Sequence, residues 1–305
     1  WGKCSEDTLY CTRLDRRRGT VGVFQLPILE NILYVACGDL HSLALDKEGC
    51  VWSWGSNTVG ECGFEYVSPA ALPHKLEISV PISTVSCGKS HSMVIDNNGN
   101  LWGWGFNYFG QLGLGDYRDR CSPCLVPGIS NASKVACGSD YTVAITEQPE
   151  ILCTGKFQNS DSFCGIKTDI LVTQLACSFT NLQIYLLNKN GELYSMSPDP
   201  SGEVLIQKTS MSIPLLWIAA AEEVWGVDTE GNLWRIESES LQSQHKEDRN
   251  DKTFVSCACG TPQLLAVDDE GVVWCTDESD TAYYYKIASI PKITARKALT
   301  KSARK

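Results

Sequence analysis

The chain lacks the long apolar runs, catalytic motifs and helical periodicity that mark several common protein classes. Among its 305 residues no stretch approaches 18 uninterrupted apolar residues, which excludes a transmembrane helix. The chain begins at Trp1, and no basic-then-apolar leader follows, so we expect a domain cut from a larger protein without a secretory signal. The repeated part contains no helical pattern of 12 residues, which favours β-structure.

Basic residues are outnumbered by acidic ones. The chain has 26 Lys and Arg against 36 Asp and Glu, a net charge of −10. A protein with this net negative charge is not expected to bind nucleic acid, because phosphate binding needs a basic face. Residues 286–305 are the exception, since they contain seven basic residues and no acid. We therefore expect residues 293–305 to be a basic tail or linker, through which alone nucleic acid or an anionic membrane would be bound.

Cysteine is abundant, with 15 residues, but its placement argues against disulfides. Disulfide scaffolds are short chains that lack a core, whereas this chain is long enough to have one. Several cysteines recur at one position of a repeat, as buried free thiols do. We expect a reducing compartment, the cytoplasm, with the nucleus as an alternative. Cys121 and Cys124 have the spacing of half a zinc site, but no second pair accompanies them, so no metal is expected.

Internal repeats are the most informative feature of the sequence. Residues 35–55, VACGDLHSLALDKEGCVWSWG, align without a gap with residues 85–105, VSCGKSHSMVIDNNGNLWGWG, and a third copy occupies residues 135–155. Weaker copies are centred on residues 188–196, 227–236 and 267–276. Each copy has a short apolar strand, a turn, most often with glycine, and a further short strand, which in most copies contains tryptophan. Units of three or four antiparallel strands over 40–50 residues are typical of a β-propeller.

The repeats predict an all-β fold, a single β-propeller over residues 1–292 with four-stranded antiparallel blades. Seven blades are favoured, and six are the alternative. Trp1-Gly2 is similar to Trp54-Gly55 at the end of a repeat, so we expect an N-terminal strand to close the ring by completing a blade begun by C-terminal strands such as residues 283–285. Trp52 and Trp102 are expected to be largely buried between blades.

Strand order places two sets of loops on one rim of the propeller. The loop before the His41 strand and the loop after Gly55 lie at the same end of the blade, and propellers bind partners through such loops. The acidic turns at Asp46, Asp96 and Asp228 are expected near the opposite rim. The predicted partner-binding rim residues are Asp39, Asn57, Lys89, Asn107 and Asp140.

The sequence offers no catalytic or cofactor-binding set. His41 and His91 recur at one repeat position, and no Ser-His-Asp or Cys-His pattern accompanies them. The glycines of residues 110–115 open no helix and no Gly-Lys-Ser/Thr follows, so a phosphate-binding loop is absent. We expect no catalytic residue, no cofactor and no enzyme activity, and interpret both histidines as structural.

Several runs resemble the regulator of chromosome condensation repeat. They are Cys-Gly-x-x-His, Leu-Ala-Leu-Asp-x-x-Gly, Trp-x-Trp-Gly-x-Asn, and Gly-Gln-Leu-Gly-Leu-Gly-Asp at residues 110–116. The later copies, above all residues 224–234, are also similar to tectonin-type repeats. Either resemblance implies a propeller. The first also implies guanine-nucleotide exchange on a small GTPase as a possible activity.

Two functions are consistent with these observations. The first is a non-catalytic protein–protein interaction propeller, monomeric, within a larger cytosolic regulatory protein, with its partner on one rim. The alternative is a guanine-nucleotide exchange factor or regulator for a Ran-like or other small GTPase.

Overall fold

All regular structure in the described part of the chain is β-strand. The computed structural model describes residues 12–15, 20–23, 29, 31–65, 70–147, 150–199, 201–236, 244–246, 252–259, 264–270, 272–276 and 284–289. Within these residues, no helix is long and apolar enough to cross a membrane. The chain divides into two compact units, residues 1–184 with 196–205, and residues 185–195 with 206–305.

The first unit begins with a two-stranded sheet and continues with three four-stranded antiparallel sheets. The pair is β1 (Thr12–Asp15) and β2 (Thr20–Val23). The first four-stranded sheet contains β3 (Ile32–Cys37), β4 (His41–Asp46), β5 (Val51–Gly55) and β6 (Ala70–Lys75). The second contains β7 (Ile82–Cys87), β8 (His91–Asp96), β9 (Leu101–Gly105) and β10 (Arg120–Leu125). The third contains β11 (Ala132–Cys137), β12 (Tyr141–Thr146), β13 (Glu150–Gly155) and β14 (Ser160–Lys167).

Three further four-stranded sheets follow the same order along the chain. The fourth contains β15 (Val172–Cys177), β16 (Ile184–Asn188), β17 (Leu193–Pro198) and β18 (Val204–Lys208). The fifth contains β19 (Leu215–Ala220), β20 (Val224–Asp228), β21 (Leu233–Ile236) and β22 (Gln244–Lys246). The sixth contains β23 (Phe254–Cys259), β24 (Leu264–Asp268), β25 (Val272–Thr276) and β26 (Tyr284–Ser289). Sheets of four consecutive antiparallel strands are propeller blades.

The same register irregularity recurs between the first and second strands of these sheets. In the first sheet Ile32 pairs with Asp46 and Tyr34 pairs with Leu45, so the register shifts by one residue at Leu33. The residues in the equivalent position of the second, third, fifth and sixth sheets are Ser83, Ser133, Leu216 and Val255. The sequence repeat is therefore a repeat of backbone geometry, even in copies whose side chains have diverged.

Apolar core clusters lie between the first and second, the second and third, and the fifth and sixth four-stranded sheets. Strands β4 and β8 are buried along their whole length, and each lies between two other strands of its sheet. Leu43 and Leu45 pack with Ile82 and Val94 of the second sheet. Trp104 is fully buried and Trp54 nearly so, and Trp52 and Trp102, which the repeats predict to be largely buried, are intermediate in exposure. Residues two apart on a strand point to the same side of the sheet, so Trp52 shares a face with Trp54, and Trp102 shares one with Trp104. The less buried tryptophan of each pair lies nearer the turn between the second and third strands.

The blade count differs from expectation, whereas closure of the ring by an N-terminal strand stays a prediction. The described strands form six four-stranded sheets and one sheet of two strands, so seven four-stranded blades is wrong for this part of the chain. Strand β26 is already the fourth strand of a sheet made of consecutive strands. The described N-terminal strands β1 and β2 pair with each other in a separate sheet. Neither strand belongs to the sheet that contains β26. Residues 1–10, Tyr283 and the basic tail at 293–305 lie outside the described residues.

Candidate partner-binding loops

In the first three four-stranded sheets, a glycine at the start of the first-to-second strand loop makes room for a ring three residues later. A Cβ on Gly88 would lie 2.0 Å from Cε1 of His91, and one on Gly38 would lie 2.4 Å from Cε1 of His41. The third sheet has Gly138 under the ring of Tyr141 in the same way. No side chain fits in these positions. The run Cys-Gly-x-x-His is thus explained by packing within the loop.

The two histidines bond one sheet to the next. Nε2 of His41 lies 2.9 Å from the hydroxyl of Ser92, which itself donates to the carbonyl of Glu61. Because the hydroxyl proton is used in that bond, Nε2 of His41 is the protonated ring nitrogen. Burial lowers the pKa of His41 to about 4 and that of His91 to about 3. Both rings are therefore buried and neutral near pH 7, and their role is structural.

Main-chain hydrogen bonds join the loops at this end of the first three sheets. The amide of Asp39 donates to the carbonyl of Lys89 at 3.1 Å, and the amide of Lys89 donates to the carbonyl of Ser139 at 3.2 Å. The amides of Phe106 and Lys156 donate to the carbonyls of Ser90 and Asp140. We call this bonded set the loop belt; it comprises residues 38–40, 55–56, 88–90, 105–109, 138–140 and 155–157.

The structure brings three of the five predicted rim residues into the loop belt with accessible side chains. Asp39 and Lys89 are exposed and Asp140 is partly exposed, and the Ser139 hydroxyl donates to the Asp140 carboxylate at 2.8 Å. Asp39, Lys89 and Asp140 all lie in loops that join the first and second strands of a sheet. They form one continuous strip because consecutive loops are bonded through their backbones.

Asn57 and Asn107 lie at the same end but are buried. Oδ1 of Asn107 accepts from the amide of Leu112 at 2.9 Å, and its Nδ2 donates to the carbonyl of Asp116 at 2.8 Å. Asn57 makes the same bonds with Cys62 and Phe64. These side chains hold their own loops in shape. They are therefore not part of an exposed binding surface.

An aromatic cluster in the loop belt was not predicted from the sequence. Tyr108 is 68% exposed and meets Phe109 edge-on at a ring-centroid distance of 5.2 Å. Phe106 stacks on Tyr108 at 6.3 Å, and Nζ of Lys156 lies 5.4 Å from the Phe109 ring. The first sheet has Ser56, Thr58 and Val59 in this loop. Three aromatics in a loop where another repeat copy has small residues were a signal that sequence reasoning could have used.

At the opposite end of the sheets, aspartates fix the turns between second and third strands. The carboxylate of Asp96 accepts from the amides of Asn98 and Asn100 and from the indole N–H of Trp102 at 3.1 Å. Burial alone would raise the pKa of Asp96, but the hydrogen bonds from Asn100 and Trp102 outweigh it and lower that pKa. Asp46 and Asp228 accept equivalent bonds. These aspartates are structural.

Twelve of the cysteines in the described part of the chain form no disulfide. Cys121 is exposed and Cys124 partly buried, and no group of three or more metal-ligating side chains occurs among the described residues. Burial raises the pKa of the Cys62 and Cys137 thiols to about 12. These two thiols are therefore protonated and unreactive at neutral pH.

Comparisons with known proteins agree with this geometry. Residues 48–95 and 98–145 match the family Regulator of chromosome condensation (RCC1) repeat, and a second family of the same description matches residues 32–61 and 82–111. Residues 32–145 of this β-propeller therefore match RCC1 repeats. The tectonin-like character of the later repeats stays a prediction.

The RCC1 repeats connect the chain to one relative over a short stretch. Protein pim1 of Schizosaccharomyces pombe is 39% identical over 66 residues, which are 21% of this chain and 12% of that protein. The match thus covers about an eighth of that relative's length.

Two solved structures share the fold over most of the chain. Human WBSCR16 has a TM-score of 0.73 at 16% identity, covering 90% of this chain and 88% of that one. Prp20p of Saccharomyces cerevisiae, described with its binding properties to Gsp1p and histones, has a TM-score of 0.72 at 20% identity, covering 90% and 79%. At these identities the likeness concerns the fold alone.

Proposed function

We propose that this RCC1-repeat propeller is a non-catalytic protein-interaction module whose contact surface is the exposed part of the loop belt. The observation that supports this most is the aromatic cluster around Tyr108, which is 68% exposed. Exposed aromatics beside charged side chains are the usual composition of binding hot spots. Lys89 and Asp140 supply charges of both signs on the same bonded strip.

The backbone of the loop belt suits recognition because it is held in place before a partner arrives. Main-chain bonds join consecutive loops, and buried Asn57 and Asn107 fix the loops that carry the variable side chains. A surface that is ordered in advance loses less conformational entropy on binding. The module would act as one domain of a larger regulatory protein in the cytoplasm, or alternatively the nucleus. It would do so as a monomer without a cofactor.

Affinity capture with surface variants tests this function. The wild-type chain, a Tyr108→Ala/Lys89→Ala variant and a Glu48→Ala variant are used as baits, since Glu48 is exposed in the turn at the opposite end of the sheet. We expect the same specific protein with wild type and Glu48→Ala, and its loss with Tyr108→Ala/Lys89→Ala. Equal recovery by all three baits would show that the loop belt is not the contact surface.

Guanine-nucleotide exchange on a small GTPase is the second candidate. It is supported by the fold shared with Prp20p, whose structure is described with binding to Gsp1p. Exchange needs a protein element that displaces the nucleotide's phosphates and Mg²⁺, and the carboxylates of Asp39 and Asp140 are the acidic groups of the loop belt suited to that task. Release of fluorescent nucleotide across a panel of small GTPases separates the two functions. Acceleration by wild type and its loss in Asp39→Asn/Asp140→Asn supports exchange, whereas flat traces remove it.

A further inference from the structure

Two Ser-Pro pairs in the described part of the chain have different positions in their sheets. Ser122-Pro123 lies in β10, the edge strand of the second sheet, whose strand order is β10-β9-β8-β7, and Ser122 is exposed. Ser197-Pro198 lies in β17, between β16 and β18 of the fourth sheet, and both residues are only partly exposed. The same dipeptide thus occurs once in an edge strand and once in an inner strand.

The backbone around Ser122 departs from the regular strand ladder. The register of β10 against β9 shifts between Arg120 and Cys124, where β10 has three residues and β9 has one. An irregularity of this kind bends an edge strand and interrupts its pairing with the neighbouring strand. Pro123 has no N–H to donate, and it restricts the residue before it to extended backbone. Ser122 is therefore extended, exposed and weakly tied to its sheet.

These properties suit a serine that a protein kinase modifies. A kinase binds the residues on both sides of the acceptor hydroxyl as an extended segment, and proline-directed kinases require proline directly after the serine. Residues at an irregularity of an edge strand can enter the kinase cleft with the loss of few backbone hydrogen bonds. Ser197 would first have to separate from strands on both sides of β17.

Arginine side chains beside Ser122 can bind a phosphate there. Arg120 is two residues before Ser122, so their Cα atoms are at most about 7 Å apart. Nη2 of Arg120 donates to Oδ2 of Asp116 at 2.6 Å, Nη1 donates to the carbonyl of Arg118 at 2.7 Å, and the Arg118 side chain is exposed. A phosphoserine carries a charge of about −1.5 to −2 at neutral pH and binds arginine through charge-assisted hydrogen bonds. It would therefore compete with the Asp116 carboxylate for Arg120.

We propose that Ser122 is a phosphorylation site for a proline-directed serine kinase, and that its phosphate binds the guanidinium of Arg120. In the reaction the Ser122 oxygen bonds to the γ-phosphorus of ATP, and the bond between that phosphorus and the β–γ bridging oxygen breaks. ADP leaves, and the hydroxyl proton passes to the catalytic base of the kinase. This modification goes beyond the proposed binding of a protein partner and does not depend on it.

Phosphopeptide mapping by mass spectrometry tests the site. The full chain and two synthetic peptides, residues 116–128 and 191–203, are incubated with one purified proline-directed kinase and ATP. We expect both peptides to be phosphorylated, whereas the folded chain is phosphorylated at Ser122 and not at Ser197. The signal at Ser122 should be lost in Ser122→Ala and in Pro123→Ala. An unmodified Ser122 in the folded chain, or equal modification of Ser122 and Ser197, would overturn the proposal.

Phosphorus NMR of the phosphorylated chain tests the contact with Arg120. The second pKa of a free phosphoserine is about 6, and a guanidinium beside it lowers that pKa because it favours the dianion. We expect a lowered titration midpoint in the native chain and in Arg118→Gln, and its return to the free value in urea and in Arg120→Gln. A native midpoint equal to that in urea, or one that Arg120→Gln leaves unchanged, would contradict binding of the phosphate by Arg120.

Discussion

Nε2 of His91 lies 3.0 Å from the hydroxyl oxygen of Thr142, so a neutral histidine of the second sheet is bonded to the third. His41 makes the equivalent bond to Ser92. The contact that recurs with the repeat is thus a sheet-to-sheet hydrogen bond made by a buried ring, and burial disfavours a charge on that ring.

Stability should therefore fall when the pH drops below the ordinary pKa of histidine. Burial holds the pKa of His91 at about 3, below its value of about 6.5 in the unfolded chain, so the unfolded state binds more protons between these values. The stabilisation is complete above about pH 6.5 and is lost progressively as the pH falls towards 3. We expect His91 to contribute a loss of about 2 kcal/mol in unfolding free energy at pH 5 relative to pH 7.5.

Urea unfolding across this pH range checks the histidine prediction. His91→Tyr is the matched variant, because Tyr141 holds the same position in the third sheet. The variant should show a flatter dependence of unfolding free energy on pH. An unchanged slope would mean that His91 titrates normally and is accessible.

Gly88→Ala should destabilise the chain because a methyl group has no space there. Its Cβ would lie 2.0 Å from the His91 ring, which cannot move without losing the bond to Thr142. We expect a loss of about 2–3 kcal/mol in unfolding free energy, as overpacking causes elsewhere. Gly128→Ala is the control, since its Cβ meets nothing within 4 Å although its φ is +74°. That variant should lose about 1 kcal/mol through backbone strain alone; equal losses would contradict the packing explanation.

Asp96→Ala and Asp96→Asn should differ clearly. Alanine leaves the amides of Asn98 and Asn100 without their acceptor, so we expect a loss of about 1–3 kcal/mol. Asparagine keeps an acceptor oxygen, and Asn188 already receives the equivalent amide bonds in the fourth sheet. Urea unfolding at neutral pH measures both variants. If Asp96→Ala hardly changes the unfolding free energy, the turn is stable without the carboxylate.

Thiol labelling of the native chain should be selective among the described cysteines. Cys121 and Cys164 are exposed and should be alkylated first, whereas Cys62 and Cys137 should react only after unfolding because burial raises the pKa of both thiols. Mass spectrometry of alkylated peptides identifies the order. Three or more disulfides would instead contradict the expectation of a reducing compartment.

The repeat predicted the strand structure because it records both the strands and the turns between them. The alignment of residues 35–55 with 85–105 corresponds to strands β3–β5 and β7–β9. It also placed Asp39, Lys89 and Asp140 at one end of the sheets. Strand order determines where a loop lies, and strand order could be read from the turns.

Side-chain direction within a loop could not be read in this way. Asn57 and Asn107 lie in the predicted loops but turn inwards, because a short amide side chain is well suited to bonding nearby backbone groups. The number of blades was also predicted wrongly, because strand pairing cannot be read from the repeat copies. Repeat copies count sheets, but they do not show whether β1 and β2 pair with each other or with another sheet.

Site-specific photo-crosslinking tests the central claim, that the loop belt binds a protein partner. A photoreactive phenylalanine analogue replaces Tyr108 in one chain and Glu48 in another, and both are irradiated in cell lysate. We predict a discrete crosslinked protein from position 108 and none from position 48, with competition by unlabelled wild type but not by Lys89→Glu. Equal crosslinking from the two positions would contradict the account. So would a crosslink from position 108 that unlabelled wild type does not reduce, or no crosslink from that position.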